Sequence, residues 1–259
     1  MLEFEQVSFS YEVCSALVLQ DLSLKISDDE FVSIVGLSGC GKTTLLHLAA
    51  GFYLPTVGRI LFDGKEVVSP SPDRVMVFQE DAVFPWYTVM DNVKYPLLIK
   101  RVEEEEIEKQ AAAYLKLVGL ENFSDFFPKE LSGGMKKRVD LARAYLAGPK
   151  LLLMDEPFGA LDTHTRQKMQ MLLMDLWQRD RKTVLFVTHD IAEAVFLSDR
   201  VIVMSSCPGK IYKIYTIRTE RPRKLEMKHN PEFVRLVSVL EKDIWTMEEN
   251  TNERPEISI

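Results

Sequence analysis

Cysteine is scarce here. Cys14, Cys40 and Cys207 are the only three in 259 residues, too few and too scattered to frame a disulfide-built fold. That scarcity suits a reducing compartment. Long hydrophobic runs are also missing. Runs such as residues 151–154 and 201–204 fall far short of the roughly twenty apolar residues a membrane-spanning helix needs. No charged-then-apolar leader opens the chain, since Glu3 and Glu5 stand where one would start. The expectation is a cytoplasmic chain that leaves any membrane work to a partner. A positive charge balance is absent too. Lys and Arg number 32 against 39 Asp and Glu, and the resulting −7 excludes a general nucleic-acid binder. Repeats of 20–50 residues and low-complexity linkers do not occur.

What is present is 46% hydrophobic residues, enough for one large α/β domain or a domain with a subdomain. Residues 2–9 and 17–26 alternate as paired strands. The apolar run 31–35 feeds straight into a glycine-rich loop. Residues 42–50 then have helical composition and stop at Gly51, a natural C-cap. Residues 60–62 followed by Asp63-Gly64 read as a strand and tight turn, and 75–78 as a buried strand. From about 81 to 147 the character turns helical. Four leading glutamates of a helix over 103–117 suit the positive end of its dipole. Strand–helix alternation returns at 151–155, 166–177, 183–188, 191–197 and 201–204, which predicts a parallel or mixed sheet with helices on both faces. Residues 231–245 read as an amphipathic helix and 248–259 as a polar, mobile tail. The basic stretch 210–228 holds seven Lys or Arg against two Glu and reads as a solvated face.

Chemistry concentrates in three short stretches. Residues 36–43 read GLSGCGKT, two glycines, a lysine and a hydroxyl residue at phosphate-loop spacing. Gly36, Gly39 and Gly41 let the backbone bend so that its N–H groups face a phosphate, with Ser38, Cys40 and Thr44 completing the cradle. Lys42 can reach the β- and γ-phosphates, and the Thr43 hydroxyl can ligate Mg²⁺. Cys40 reads as a small residue through which an alkylating reagent could block the site. The apolar strand 151–155 delivers Asp155 at its carboxyl end, where it can hold Mg²⁺, and Glu156 follows as general base for an attacking water. Residues 131–135 read LSGGM, and Ser132 lies 155 − 132 = 23 residues before Asp155. Ser132-Gly133-Gly134 joins a good helix N-cap to exposed backbone N–H groups.

That order and spacing resemble the ATPase subunit of an ABC (ATP-binding cassette) transporter. The resemblance covers roughly residues 3–211 and implies a P-loop ATPase core with an N-terminal antiparallel β subdomain and an inserted helical signature subdomain. It implies an ATP-binding domain over 1–215, with the helical subdomain at about 81–147, and an extension over 216–259. It also implies that the chain binds ATP and Mg²⁺ and pairs head to tail as a homodimer. Ser132, Gly133 and Gly134 would then close on the γ-phosphate held by the partner. By the same resemblance Gln79 senses Mg²⁺ and the attacking water, and His189 contacts the γ-phosphate. Asp162 links the two cassettes, and Tyr11 stacks on adenine. Segments 77–93, 156–166 and 182–211 look like the nitrate/sulfonate/taurine importer branch, where bicarbonate and vitamin precursors are further cargoes. In such an importer the chain sits on the inner face of the membrane against separate permease subunits, served indirectly by a solute-binding protein. Phe84 and Trp86 are the expected permease contact, in a stretch read as loop. One departure is Lys136-Lys137, where relatives commonly carry Arg-Gln.

Two rival readings use fewer of these residues. A soluble ATP-dependent clamp would insert long coiled coils between the two ATP motifs. The interval here is 131 − 43 = 88 residues and has no sustained heptads. A simple P-loop kinase would leave LSGGM and FGALD without a task.

Overall fold

The computed structural model describes residues 1–11, 16–206 and 208–252, with side chains through residue 249. Cys14, Cys207 and the end of the expected tail lie outside these. The chain packs as two compact units, Met1–Pro70 with the return from Thr183 onward, and Ser71–Lys182. Among the described residues, no helix is long and apolar enough to cross a membrane.

The first unit begins with β1 (Leu2–Phe9) and β2 (Leu19–Ile26), antiparallel and pairing Leu2 with Ile26. Alternate side chains of β1 are buried, as its sequence period demands. β3 (Phe31–Gly36) is buried over five consecutive residues and runs into the glycine loop. α1 (Lys42–Ala50) follows and ends on Gly51, whose left-handed backbone donates to His47 and Leu48. β4 (Val57–Phe62) and β5 (Lys65–Glu66) form a hairpin across Asp63 and Gly64, both at positive φ as a type I′ turn requires. The resulting antiparallel order is β2-β1-β4-β5.

The second unit carries β6 (Arg74–Val77), α2 (Val89–Ile99), α3 (Glu104–Leu117), α4 (Gly133–Leu146), β7 (Leu151–Asp155) and α5 (Thr163–Arg179). β6 and β7 are parallel, Val77 level with Met154. α2 occupies part of the stretch read as loop. A capping box between Thr88 and Asp91 starts it, and the Asp91 N–H donates to Thr88 Oγ1 at 3.1 Å. Pro96 inside the helix hides it from a sequence pattern.

Back in the first unit, β8 (Thr183–Val187), α6 (Ile191–Leu197), β9 (Arg200–Ser205), β10 (Lys210–Thr216) and α7 (Pro231–Asn252) complete the chain. β3 lies between β8 and β9, parallel to both, and β10 adds antiparallel to β9. The sheet is therefore mixed. The basic stretch 210–228 is not simply a solvated face. Arg223 is buried and donates to the Val195, Phe196 and Ser198 carbonyls at 2.8–3.1 Å, closing the end of α6. α7 runs seven residues past Trp245, into the segment read as tail.

Candidate nucleotide site

In the first unit the glycine loop leaves β3, and α1 starts from Gly41 with no side-chain cap over its first turn. A helix start of this kind presents N–H groups and partial positive charge to an anion. Two glycines are sterically required. A β-carbon on Gly36 would meet the Met204 carbonyl oxygen at 2.6 Å, and one on Gly41, at φ +92°, would meet Leu19 Cδ2 at 2.7 Å. Lys42 is buried, and its Nζ donates to the Gly36 and Leu37 carbonyls at 2.9 Å each. Its positive charge is thereby fixed within the loop. Ser38, Gly39 and Thr43 face outward. Cys40 packs into the loop as a small residue. The thiol is fully buried, 3.8 Å from Lys42 Nζ, and burial pushes its pKa up against the lowering influence of Lys42. Burial of this kind lowers the reactivity of a thiol toward alkylating reagents.

Tyr11 is 37% exposed, and its hydroxyl shares a 3.0 Å hydrogen bond with buried Thr44 on α1. That bond ties the ring to the phosphate loop and uses the Thr44 hydroxyl. Tyr53, which the sequence reading passed over, lies edge-on to Tyr11 at 5.5 Å and is 41% exposed. Its only local signal was an aromatic just past the α1 C-cap. His189 is exposed beyond β8, and Thr188 N–H donates to Ile34 O at 3.2 Å, so His189 and the glycine loop leave one carboxyl edge. Asp190 caps α6 through the Glu193 N–H at 2.9 Å, and Thr188 Oγ1 donates to buried Glu193 at 2.6 Å. These bonds hold the backbone on either side of His189.

The second unit assembles the other group. Asp155, buried, ends β7, and exposed Gln79 stands two residues beyond β6 at the same edge. Glu156 has φ +40° and precedes Pro157, a left-handed backbone that costs about 1–3 kcal/mol and persists mainly at functional sites. Among the described residues no three acidic, His or Cys side chains gather as a metal site. The carboxylate of Asp155 and the amide oxygen of Gln79, both in this unit, are hard donors. They suit Mg²⁺ that takes its remaining ligands from phosphate and water. Ser132 caps α4, accepting from the Met135 N–H at 3.4 Å, and Gly134 lets α4 approach Thr165 of α5. A cavity of about 420 Å³ joins Gln79 and Asp81 to Gly133 and Leu161. Exposed Asp162 caps α5, and hydrogen bonds from Thr165 and then His164 hold its carboxyl below the usual range.

Beyond Gln79, the turn 84–88 is held by fully buried Asn92. Its Nδ2 donates to the Phe84, Tyr87 and Thr88 carbonyls, and its Oδ1 accepts from the Phe84 N–H. Trp86 is 67% exposed and stacks on Phe84 at 5.7 Å, while Arg143 lies over the Phe84 ring at 4.9 Å. Phe84 also lines a largely apolar cavity of about 300 Å³ with Val75, Tyr95 and Ile99.

Residues 19–159 match the family described as ABC transporter. The chain is 48% identical over 225 residues to the nitrate import ATP-binding protein NrtD of Synechocystis, covering 85% of each. It is 40% identical over 215 residues to the aliphatic sulfonates import ATP-binding protein SsuB of Bacillus cereus, covering 83% of this chain and 84% of that protein. The dimeric post-hydrolysis structure of the ATP-binding cassette MJ0796 with ADP and Pi matches at 33% identity and TM-score 0.73. It covers 85% of this chain and all of that one.

Proposed function

This chain belongs to the ABC transporter family as an ATP-binding, ATP-hydrolysing importer subunit, and from that premise we propose how its residues divide the work. Lys42, with the backbone of Gly36, Ser38, Gly39, Cys40 and Gly41, cradles the β- and γ-phosphates. Thr43, Asp155 and Gln79 hold Mg²⁺, which when bound neutralises phosphate charge. Glu156 takes the proton of the attacking water, and His189 contacts the γ-phosphate. Tyr11 stacks on adenine, with Tyr53 as a second ring beside it, and Thr44 positions Tyr11. Ser132, Gly133 and Gly134 serve the nucleotide held by a second copy, and Asp162 joins the two copies. The observation that carries this reading is the uncapped start of α1 behind a loop in which Lys42 is already fixed.

Residues 1–215 form the ATP-binding domain and 216–259 its extension in this reading. The chain works on the inner face of the membrane against permease subunits that meet it near Phe84 and Trp86, with a solute-binding protein upstream. Its relatives NrtD and SsuB support a small anion of the nitrate or sulfonate class as cargo. The catalytic assignment is tested by Glu156→Gln, which keeps size and hydrogen-bonding reach but removes the charge that activates water. Turnover is expected to fall about 10²-fold or more while ATP binding survives. Near-normal hydrolysis would sink the assignment.

A further inference from the structure

We propose that Lys137 is the positioning residue for Gln79, a three-pronged clamp joining the helix that begins at Ser132 to the loop that carries Gln79. The inference rests on the reading of Gln79 given above. Lys137 is 3% exposed, and its Nζ donates to three consecutive carbonyls: Phe78 at 3.0 Å, Gln79 at 2.9 Å and Glu80 at 3.0 Å. Three carbonyls in a row converge on one point only if the backbone curls around it. An ammonium, with three donors on one tetrahedral nitrogen, matches that curl. A glutamine amide at this position would offer two donors in one plane and no charge, so it could not reproduce the arrangement.

The rest of the loop confirms that the clamp is built into α4. Lys137, Asp140 and Arg143 follow at intervals of three and share one helix face. Asp140 Oδ2 accepts from the Ala82 N–H at 3.2 Å, and Arg143 donates to the Ala82 carbonyl at 2.8 Å. Arg143 also bonds Asp140 at 2.7 Å. Asp81 balances both lysines, at 3.7 Å from Lys136 and 3.8 Å from Lys137. Main-chain groups from Phe78 to Ala82 are thus fastened to α4 at five points. Gln79 keeps its side chain exposed while its own carbonyl is pinned. Such a loop presents the Gln79 amide in one place, and a shift of α4 at Ser132 carries Gln79 with it.

A purely structural cation would make the same contacts, so the test uses coupling rather than loss alone. Gln79→Ala, Lys137→Gln and their combination are prepared in the full chain, with thermal melts to check folding. Lys137→Gln is expected to lower kcat about tenfold while the KM for ATP stays within about twofold. The double variant is expected to be no slower than Gln79→Ala alone, because both changes disable the same positioned amide. Losses that multiply in the double variant would overturn the positioning role. A slow Gln79→Ala chain beside a Lys137→Gln chain of normal rate would overturn this inference alone. Normal turnover in Gln79→Ala would remove the role of Gln79 itself, and this inference with it. Should Lys137→Gln fail to fold, Lys137→Arg enters the same cycle. Its planar fork keeps the charge but cannot reach three consecutive carbonyls from one nitrogen.

Discussion

Tyr145 carries its hydroxyl into the interior of the second unit. The residue is 1% exposed, and among the described residues that hydroxyl has no hydrogen-bond partner. Burial drives its pKa upward, since a phenolate there would be more costly still. A lone buried hydroxyl costs desolvation without return, so Tyr145→Phe is expected to stabilise the chain by about 1 kcal/mol. For a chain of this size that corresponds to a rise in Tm of roughly 2–4 °C, read from a thermal melt. A lower Tm would mean that the hydroxyl is satisfied and contributes. Cys40 is the opposite case, a polarisable group that fits because it stays small and neutral against Lys42.

The turn between β6 and α2 is fixed by Asn92. Asn92 spends both donors and an acceptor on the backbone of Phe84, Tyr87 and Thr88, which fixes the turn without using its aromatic side chains. Phe84 is half-buried under Arg143, whereas Trp86 projects outward. An exposed Trp on a rigid turn is the type of anchor that dominates partner contacts. Trp86→Ala is therefore expected to shift Tm by less than about 1 °C, because surface substitutions rarely exceed a few tenths of a kcal/mol. The same change is expected to reduce co-purification with the membrane subunits sharply. A large loss of Tm with unchanged assembly would assign the ring to the chain's own packing and reject the docking role.

At the scale of the whole molecule, the proposed site needs two copies. Ser132 and Lys42 would act on one nucleotide only when they come from different chains. Mixing Lys42→Ala with Ser132→Ala, each inactive alone, is expected to restore partial ATPase activity by rebuilding one intact site per mixed dimer. Complete failure to recover, with mixed dimers demonstrated, would count against a shared site. In the proposed arrangement ATP would favour the closed pair by contacting both copies, and hydrolysis would remove those contacts. That differential is what a membrane partner can be driven by.

Much of this was written locally in the chain. The bounds of α1, Lys42–Ala50 with Gly51 beyond, are legible because a glycine loop, helical composition and a C-cap each constrain only their own few residues. The hairpin at Asp63-Gly64 and the apolar strand ending in Asp155 are legible for the same reason. α2 was not, since Pro96 breaks its pattern while its capping box uses Asp91 where Glu or Gln is the usual sign. β10 was missed because its side chains are mostly outward, and only pairing with β9 makes it a strand. Residues 210–228 hold Arg223 and exposed lysines in one basic run. The carbonyls that bury Arg223 come from 25 to 28 residues away. Lys137 is read from sequence as a harmless change on a helix, and the three carbonyls it clamps arrive from 57 to 59 residues away. Backbone preference and periodicity belong to neighbouring residues and can be read along the chain. Burial and the satisfaction of a charge depend on what the fold brings from a distance, so only the tertiary structure decided those.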